Sequence, residues 1–302
     1  MADDIIEMKP GFGGFKVNLR ALLRKLGSSD APSPVAIVAE RFLTLFEAHG
    51  VAPTEIQHFF PELTLDKLHS TEALLATLTD AFLNKIANLF AIRRAWLDGV
   101  DDVIYSTNYC YKAPERLFST LATLQIRRHS FPVRALYAAK RLDARKDVPQ
   151  PLALLCVEPL REIGDKEISR YTIFGDAWDW SEPILRIQLK AVTRVLQCQL
   201  GFNVPLYHVT EEQLDAVLEG RLIPRSLLSG CLLTEPSLED FALSPDESRI
   251  AKEPEELSVV KDYIAKHNLE SLTLGLSEVM KQKRTTSISQ HTHADVSSRA
   301  SG

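Results

Sequence analysis

The sequence contains no apolar run near the ~18 residues that a membrane-spanning helix needs, so it predicts no transmembrane segment. No apolar signal core follows the opening Asp3, Asp4 and Glu7, and the expected location is the cytoplasm. Cysteine is scarce. Cys110, Cys156, Cys198 and Cys231 stand far apart without paired spacing, which argues against a zinc site or a disulfide framework and for free thiols. Catalytic signatures are missing too: there is no Gly-x-Ser-x-Gly elbow, no glycine loop before a Lys-Ser/Thr pair and no His-Glu-x-x-His. An excess of basic charge is also absent. The formal net charge of −5 gives no whole-molecule attraction to nucleic acid or to an anionic membrane, so any such attraction must be local.

What is present is ordinary globular material. The chain has 302 residues, 45% of them hydrophobic and 25% charged, enough for about two domains. Phe15, Leu19, Leu22, Leu23 and Leu26 mark one face of a helix, with Lys16, Arg20, Arg24 and Lys25 elsewhere around it. Residues 1–34 are read as a basic amphipathic arm and linker that either docks on the next domain or contacts phosphates. A run of short helices is predicted next. One spans Val35 to Ala48 and stops at Gly50, one opens at Pro53, and one is capped by Ser70 or Thr71. The last is capped by Thr79 or Asp80 and carries Phe82, Ile86, Leu89 and Phe90.

The closing signature of that run is its most specific part: Ala87, Leu89-Phe90, Ile92 and Trp96-Leu97-Asp98-Gly99. With these residues the stretch resembles the lambda-repressor-like, XRE-type helix-turn-helix domain. The resemblance covers about a fifth of the chain. It implies a homodimeric binder of double-stranded DNA with one helix in the major groove. In the family register that helix falls near Ser70 to Leu78, where Ser70 and Thr71, with Lys67 just ahead, become candidate DNA contacts. This stretch has no Arg, Lys, Asn or Gln, the side chains that read base edges best. From Pro53 to Asp80 only Lys67 is basic, against Glu55, Glu62, Asp66, Glu72 and Asp80. The domain either keeps the fold to bind protein or takes its DNA contacts from flanking cations.

Charge reverses farther on. From Lys112 to Lys146, nine basic residues (Arg127 and Arg128 among them) stand against Glu115 and Asp143, a net of +7. This is the best footprint in the chain for a polyanion. Residues 35–128 are therefore read as an all-α helical domain and 129–233 as a small α+β domain. Its strands are expected near 132–138, 152–157, 167–174 and 204–209. A helix capped by Ser181 precedes the fourth strand, and one capped by Thr210 follows it. The segment Gly175 to Trp180 is read as a loop in which Trp178, Asp179 and Trp180 either wall a ligand pocket or close a core edge. This order of Asp-Trp loop, helix, short strand and capped helix looks like the C-terminal part of uncharacterised bacterial helix-turn-helix proteins.

Residues 234–283 are read as an acidic linker with helices; Glu235 to Asp262 carries nine acids against three bases. Residues 284–302, dominated by Ser, Thr, His and Ala, are read as a disordered tail. Asp176 or Asp179 followed by Gln188-Leu189-Lys190 resembles the acid-plus-Lys set of metal-dependent nucleases. That set needs Lys190 on a strand, but the local period is helical, and Gln188 replaces the second carboxylate. No enzyme, cofactor or metal is expected. The expected function is an XRE-like DNA-binding transcriptional regulator with a C-terminal sensing or assembly domain. The alternative is a non-catalytic protein-interaction adaptor that retains a degenerate helix-turn-helix fold.

Overall fold

The computed structural model describes residues 34–111, 113–124, 132–139, 142–145, 147–228, 237–244, 246–247, 256–274 and 276. It mixes helices with one four-stranded sheet, an α+β chain. The basic arm from Lys16 to Lys25, Arg127, Arg128 and the polar tail lie outside the described residues.

The chain enters through α1 (Pro34–Ala48), whose Phe42, Leu45 and Phe46 are buried. Gly50 closes it at a φ of +77°, a conformation glycine adopts without a Cβ penalty. A 3-10 turn follows at Pro53–His58, with Pro53 in its first turn. Then come α2 (Leu65–Leu68), α3 (Thr71–Leu75), α4 (Asp80–Phe90) and α5 (Arg94–Leu97). The α4 cap is Thr79, whose Oγ1 accepts from the Phe82 amide at 3.3 Å. Aromatic rings fill the space between these helices. Phe42 and Phe90 lie 5.0 and 5.2 Å from Phe46, and Phe60 lies 4.8 Å from Phe82. Each such side chain contributes about 1.5–3 kcal/mol on burial.

After α6 (Glu115–Thr123) comes the sheet: β1 (Val133–Tyr137), β2 (Pro151–Ile163) and β3 (Lys166–Asp179). Helix α7 (Pro183–Leu200) then leads to β4 (Leu206–His208). The strand order is β3-β2-β1-β4; the first three form an antiparallel meander and β4 runs parallel to β1. Strand residues alternate between faces, and two cores result. Leu136, Ala153, Leu155, Val157, Tyr171 and Ile173 share a core with the α1–α5 helices and with α8 (Glu211–Leu218). Val133, Ala135, Leu152, Leu154, Cys156 and Phe174 share the other with α6, α7 and α10 (Leu257–Lys266). Between α8 and α10 a single turn, α9, spans Arg225–Leu228.

Four expectations change. The α+β reading places helices on one sheet face, but both faces are covered. That is why Leu152 to Val157 reads as an unbroken apolar run: strands buried on both sides need no polar face. The Gly175–Trp180 loop is largely strand, because β3 continues to Asp179 and pairs Trp178 with Leu152. Ser181 does not cap α7, whose N-cap is Glu182 with no side-chain cap bond. Instead, Asp179 Oδ1 accepts from the Ser181 amide and hydroxyl at 2.9 and 2.7 Å. Finally, much of the acidic segment is folded. Leu238, Phe241, Val260 and Leu269 are buried against α7. Among the described residues, no helix is long and apolar enough to cross a membrane.

Candidate nucleic-acid interface

The helical unit offers little for gripping DNA. Ser70 caps α3, its Oγ accepting from the Ala73 amide at 3.2 Å, and Thr71 begins that helix. At ~1.5 Å per residue the five residues of α3 span about 7.5 Å, and the four of α2 span less. The surface around them exposes Glu62, Asp66 and Glu72. The cations of residues 34–100 are Arg41, Lys67, Lys85, Arg93 and Arg94, and each is engaged. Arg41 pairs with Asp102 at 2.9 Å and its guanidinium lies 5.4 Å from the Trp96 ring centre. Arg93 pairs with Asp101, and Arg94 with Asp80 and Asp98. Lys85 reaches Glu62 at 3.6 Å, and Lys67 Nζ donates to the Glu62 carbonyl at 3.0 Å. Lys67, Ser70 and Thr71 therefore lie in one region, but as capping and packing residues on an acidic surface.

The basic stretch behaves differently. Lys112, Arg127, Arg128, Lys140, Arg141 and Lys146 lie outside the described residues. Arg116 and Arg145 are exposed and pair with no acid among the described residues. Arg134 lies against Tyr207, its guanidinium 5.8 Å from the ring centre. Three acids of the acidic segment are engaged elsewhere, while Asp246 and Asp262 are exposed. Glu247 pairs with Arg194 at 3.0 Å, Glu256 pairs with Arg186 and Lys190, and Glu239 accepts from the Val204 amide. Burial pushes the Glu239 carboxyl above the usual carboxylate range, the Val204 bond opposing it.

The Trp178-Asp179-Trp180 candidate becomes part of the core. Trp178 and Trp180 are 2% and 0% exposed. Burial favours the protonated form of Asp179, but bonds from Gln150 and Ser181 outweigh it and hold the carboxyl below its ordinary range. Of the nuclease-like set, Asp179 is bonded to the Gln150 amide and to Ser181. Lys190 is buried on helix α7, its Nζ 2.5 Å from Glu256 and 5.3 Å from the Trp180 ring centre. Arg186 donates to the same carboxylate at 2.7 Å. Glu256 was not singled out in the sequence, because its partners lie 66 and 70 positions away.

A buried polar junction was missed as well. His49 is fully buried between Phe90 and Tyr171, with ring centroids at 4.4 and 5.7 Å. Its Nδ1 donates to the Leu45 carbonyl at 2.7 Å, while Nε2 and the buried Tyr105 hydroxyl have no hydrogen-bond partner among the described residues. Arg225 Nη1 donates to the His49 carbonyl at 3.1 Å, tying α9 to the end of α1. The only signal in the sequence was a histidine before Gly50. No family model, no curated protein and no solved structure matches this chain.

Proposed function

We propose that this chain is a non-catalytic, homodimeric, DNA-binding regulator. Its phosphate contacts come from the cations between Lys112 and Lys146 rather than from α2 and α3, and the sheet unit serves sensing or assembly. The observation that carries this reading is charge placement. Arg116 and Arg145 are exposed and form no ion pair among the described residues, while Glu239, Glu247 and Glu256 of the following acidic stretch are bound to other groups. A mobility-shift titration on random duplex across a salt series tests it. Binding should weaken linearly in log–log form, by about 0.9 per phosphate contacted. Arg116→Ala with Arg145→Ala should reduce that slope by about 2. No shift at low salt, or a flat salt response, rejects the reading.

A second reading is a protein-interaction adaptor built on a degenerate XRE-like unit. It is supported by the exposed acids Glu62, Asp66 and Glu72 beside cations that are already engaged. On that reading Glu72→Lys disrupts capture of a protein partner and Arg127→Ala with Arg128→Ala leaves function intact. The reverse pattern rejects it.

A further inference from the structure

Two tyrosines before α6 are exposed at the surface. Tyr109 and Tyr111 are 54% and 42% exposed and flank Cys110, which is 1% exposed and sits in the core beside Leu117 and Phe118. An inward side chain between two outward ones is the alternation of an extended backbone. The segment is held in place at both ends. The Asn108 amide donates to the Ile173 carbonyl, and the Gly175 amide donates to the Asn108 carbonyl, each at 2.9 Å, along the β3 edge. The Ala113 amide donates to the Cys110 carbonyl at 2.9 Å, closing the turn into α6. Tyr111 meets Trp178 edge-on, with centroids 6.4 Å apart at 87°. Arg116, on the first turn of α6, donates from Nη1 to the Tyr109 carbonyl at 3.3 Å. An exposed guanidinium therefore bonds to the backbone of a segment that exposes two aromatic rings, whose backbone positions lie within about 7 Å of each other. Lys112 follows Tyr111 directly in the chain and opens the net +7 stretch.

We propose that Tyr109, Tyr111 and Arg116 form a stacking site for unpaired bases of a single-stranded nucleic acid. This inference rests on the nucleic-acid reading above and narrows it. Bases in a duplex stack on one another and present only their edges in the grooves, where a tyrosine ring finds no face to cover. Unpaired bases present their faces, and an aromatic ring with a guanidinium beside it binds them with little regard to sequence. The cations of the stretch supply the attraction to the backbone, and the tyrosines select for single strands.

The test is fluorescence anisotropy of the full chain with labelled oligo-dT of about 20 nucleotides and with a duplex of equal length, from about 50 to 200 mM salt. Oligo-dT should bind more tightly than duplex. Tyr109→Ala with Tyr111→Ala should weaken oligo-dT binding about ten-fold or more and leave duplex binding within about two-fold. Tyr109→Trp, which keeps a stacking face, should retain full binding even if Tyr111→Ala disturbs the contact with Trp178. Arg116→Ala should lower the salt slope for the single strand by about 0.7. Equal affinity for the two probes, or oligo-dT binding indifferent to loss of both rings, overturns the stacking site while duplex binding keeps the broader reading. Failure of both probes to bind at the lowest salt overturns both.

Discussion

His49 sits between Phe90 and Tyr171 with one ring nitrogen bonded and the other bare. Burial pushes its imidazole down to about 4 from an ordinary 6.5; the Leu45 carbonyl opposes the shift and Arg225 adds to it. The folded chain therefore holds a neutral ring where the unfolded chain takes up a proton. The stability at stake is complete above about pH 6.5 and is lost as pH falls toward about 4, on the order of 3 kcal/mol. His49→Phe removes the titrating group and keeps an aromatic ring. Urea unfolding at pH 7 and pH 4.5 should show a much smaller difference for the variant than for the parent. An undiminished difference would place the acid sensitivity elsewhere. Glu256 acts with the opposite charge. Burial raises its carboxyl, but bonds from Arg186 and Lys190 outweigh that and hold it below the carboxylate range. Its contribution is complete above the ordinary glutamate range and lost at lower pH. Glu256→Ala takes a shared carboxylate from two buried cations and should cost about 3 kcal/mol in the same measurement at pH 7.

The ends of α7 and α8 separate backbone conformation from packing. Gly201 and Gly220 follow these helices with nearly equal φ, +69° and +70°. A Cβ on Gly201 would meet nothing within 4 Å, whereas one on Gly220 would lie 2.5 Å from the Tyr105 carbonyl oxygen. That carbonyl cannot retreat easily, because the Ile104 and Tyr105 amides both donate to the Gly220 carbonyl. Gly201→Ala should cost about 1 kcal/mol, the ordinary left-handed penalty. Gly220→Ala should cost at least about twice that in thermal or urea melts. Equal losses would mean that the 104–105 strap yields freely. Elements like these were largely legible in the sequence, because their signals are local. Thr210 and Gln213 form the reciprocal cap of α8, each side chain accepting from the other's amide, at 3.2 and 3.0 Å. The extension of β3 through Trp178 was not legible, since Gly175 and two acids imitate a turn and only pairing with β2 keeps the segment extended. Tyr109 and Tyr111 were not legible as surface rings, because nothing local says that Cys110 points inward and they do not.

For the whole molecule, the decisive fact is that the α1–α5 helices share a core with one sheet face. Polar contacts cross the same seam. Lys166 pairs with Glu55 at 2.7 Å, and Arg225 ties α9 to the end of α1. Arg170, which pairs with Glu158 at 2.7 Å, also donates to the Asn88 carbonyl. Separating the layers would expose Tyr171, Ile173, Leu155 and Val157 on one side and Phe90 and His49 on the other. At about 25 cal/mol per Å² of apolar surface, that separation is strongly unfavourable. The helices should therefore unfold with the sheet in one transition. Trp96 lies among the helices, and Trp178 and Trp180 lie on the far side of the sheet, so tryptophan fluorescence can report the layers separately. Urea melts of a Trp96→Phe variant and of a Trp178→Phe, Trp180→Phe variant should each coincide with far-UV circular dichroism of the same protein. A helical layer that melts first would behave as a self-standing unit, free to approach DNA as an independent reader does. Coincident melting instead makes α1–α5 a wall of the sheet rather than an independent reader.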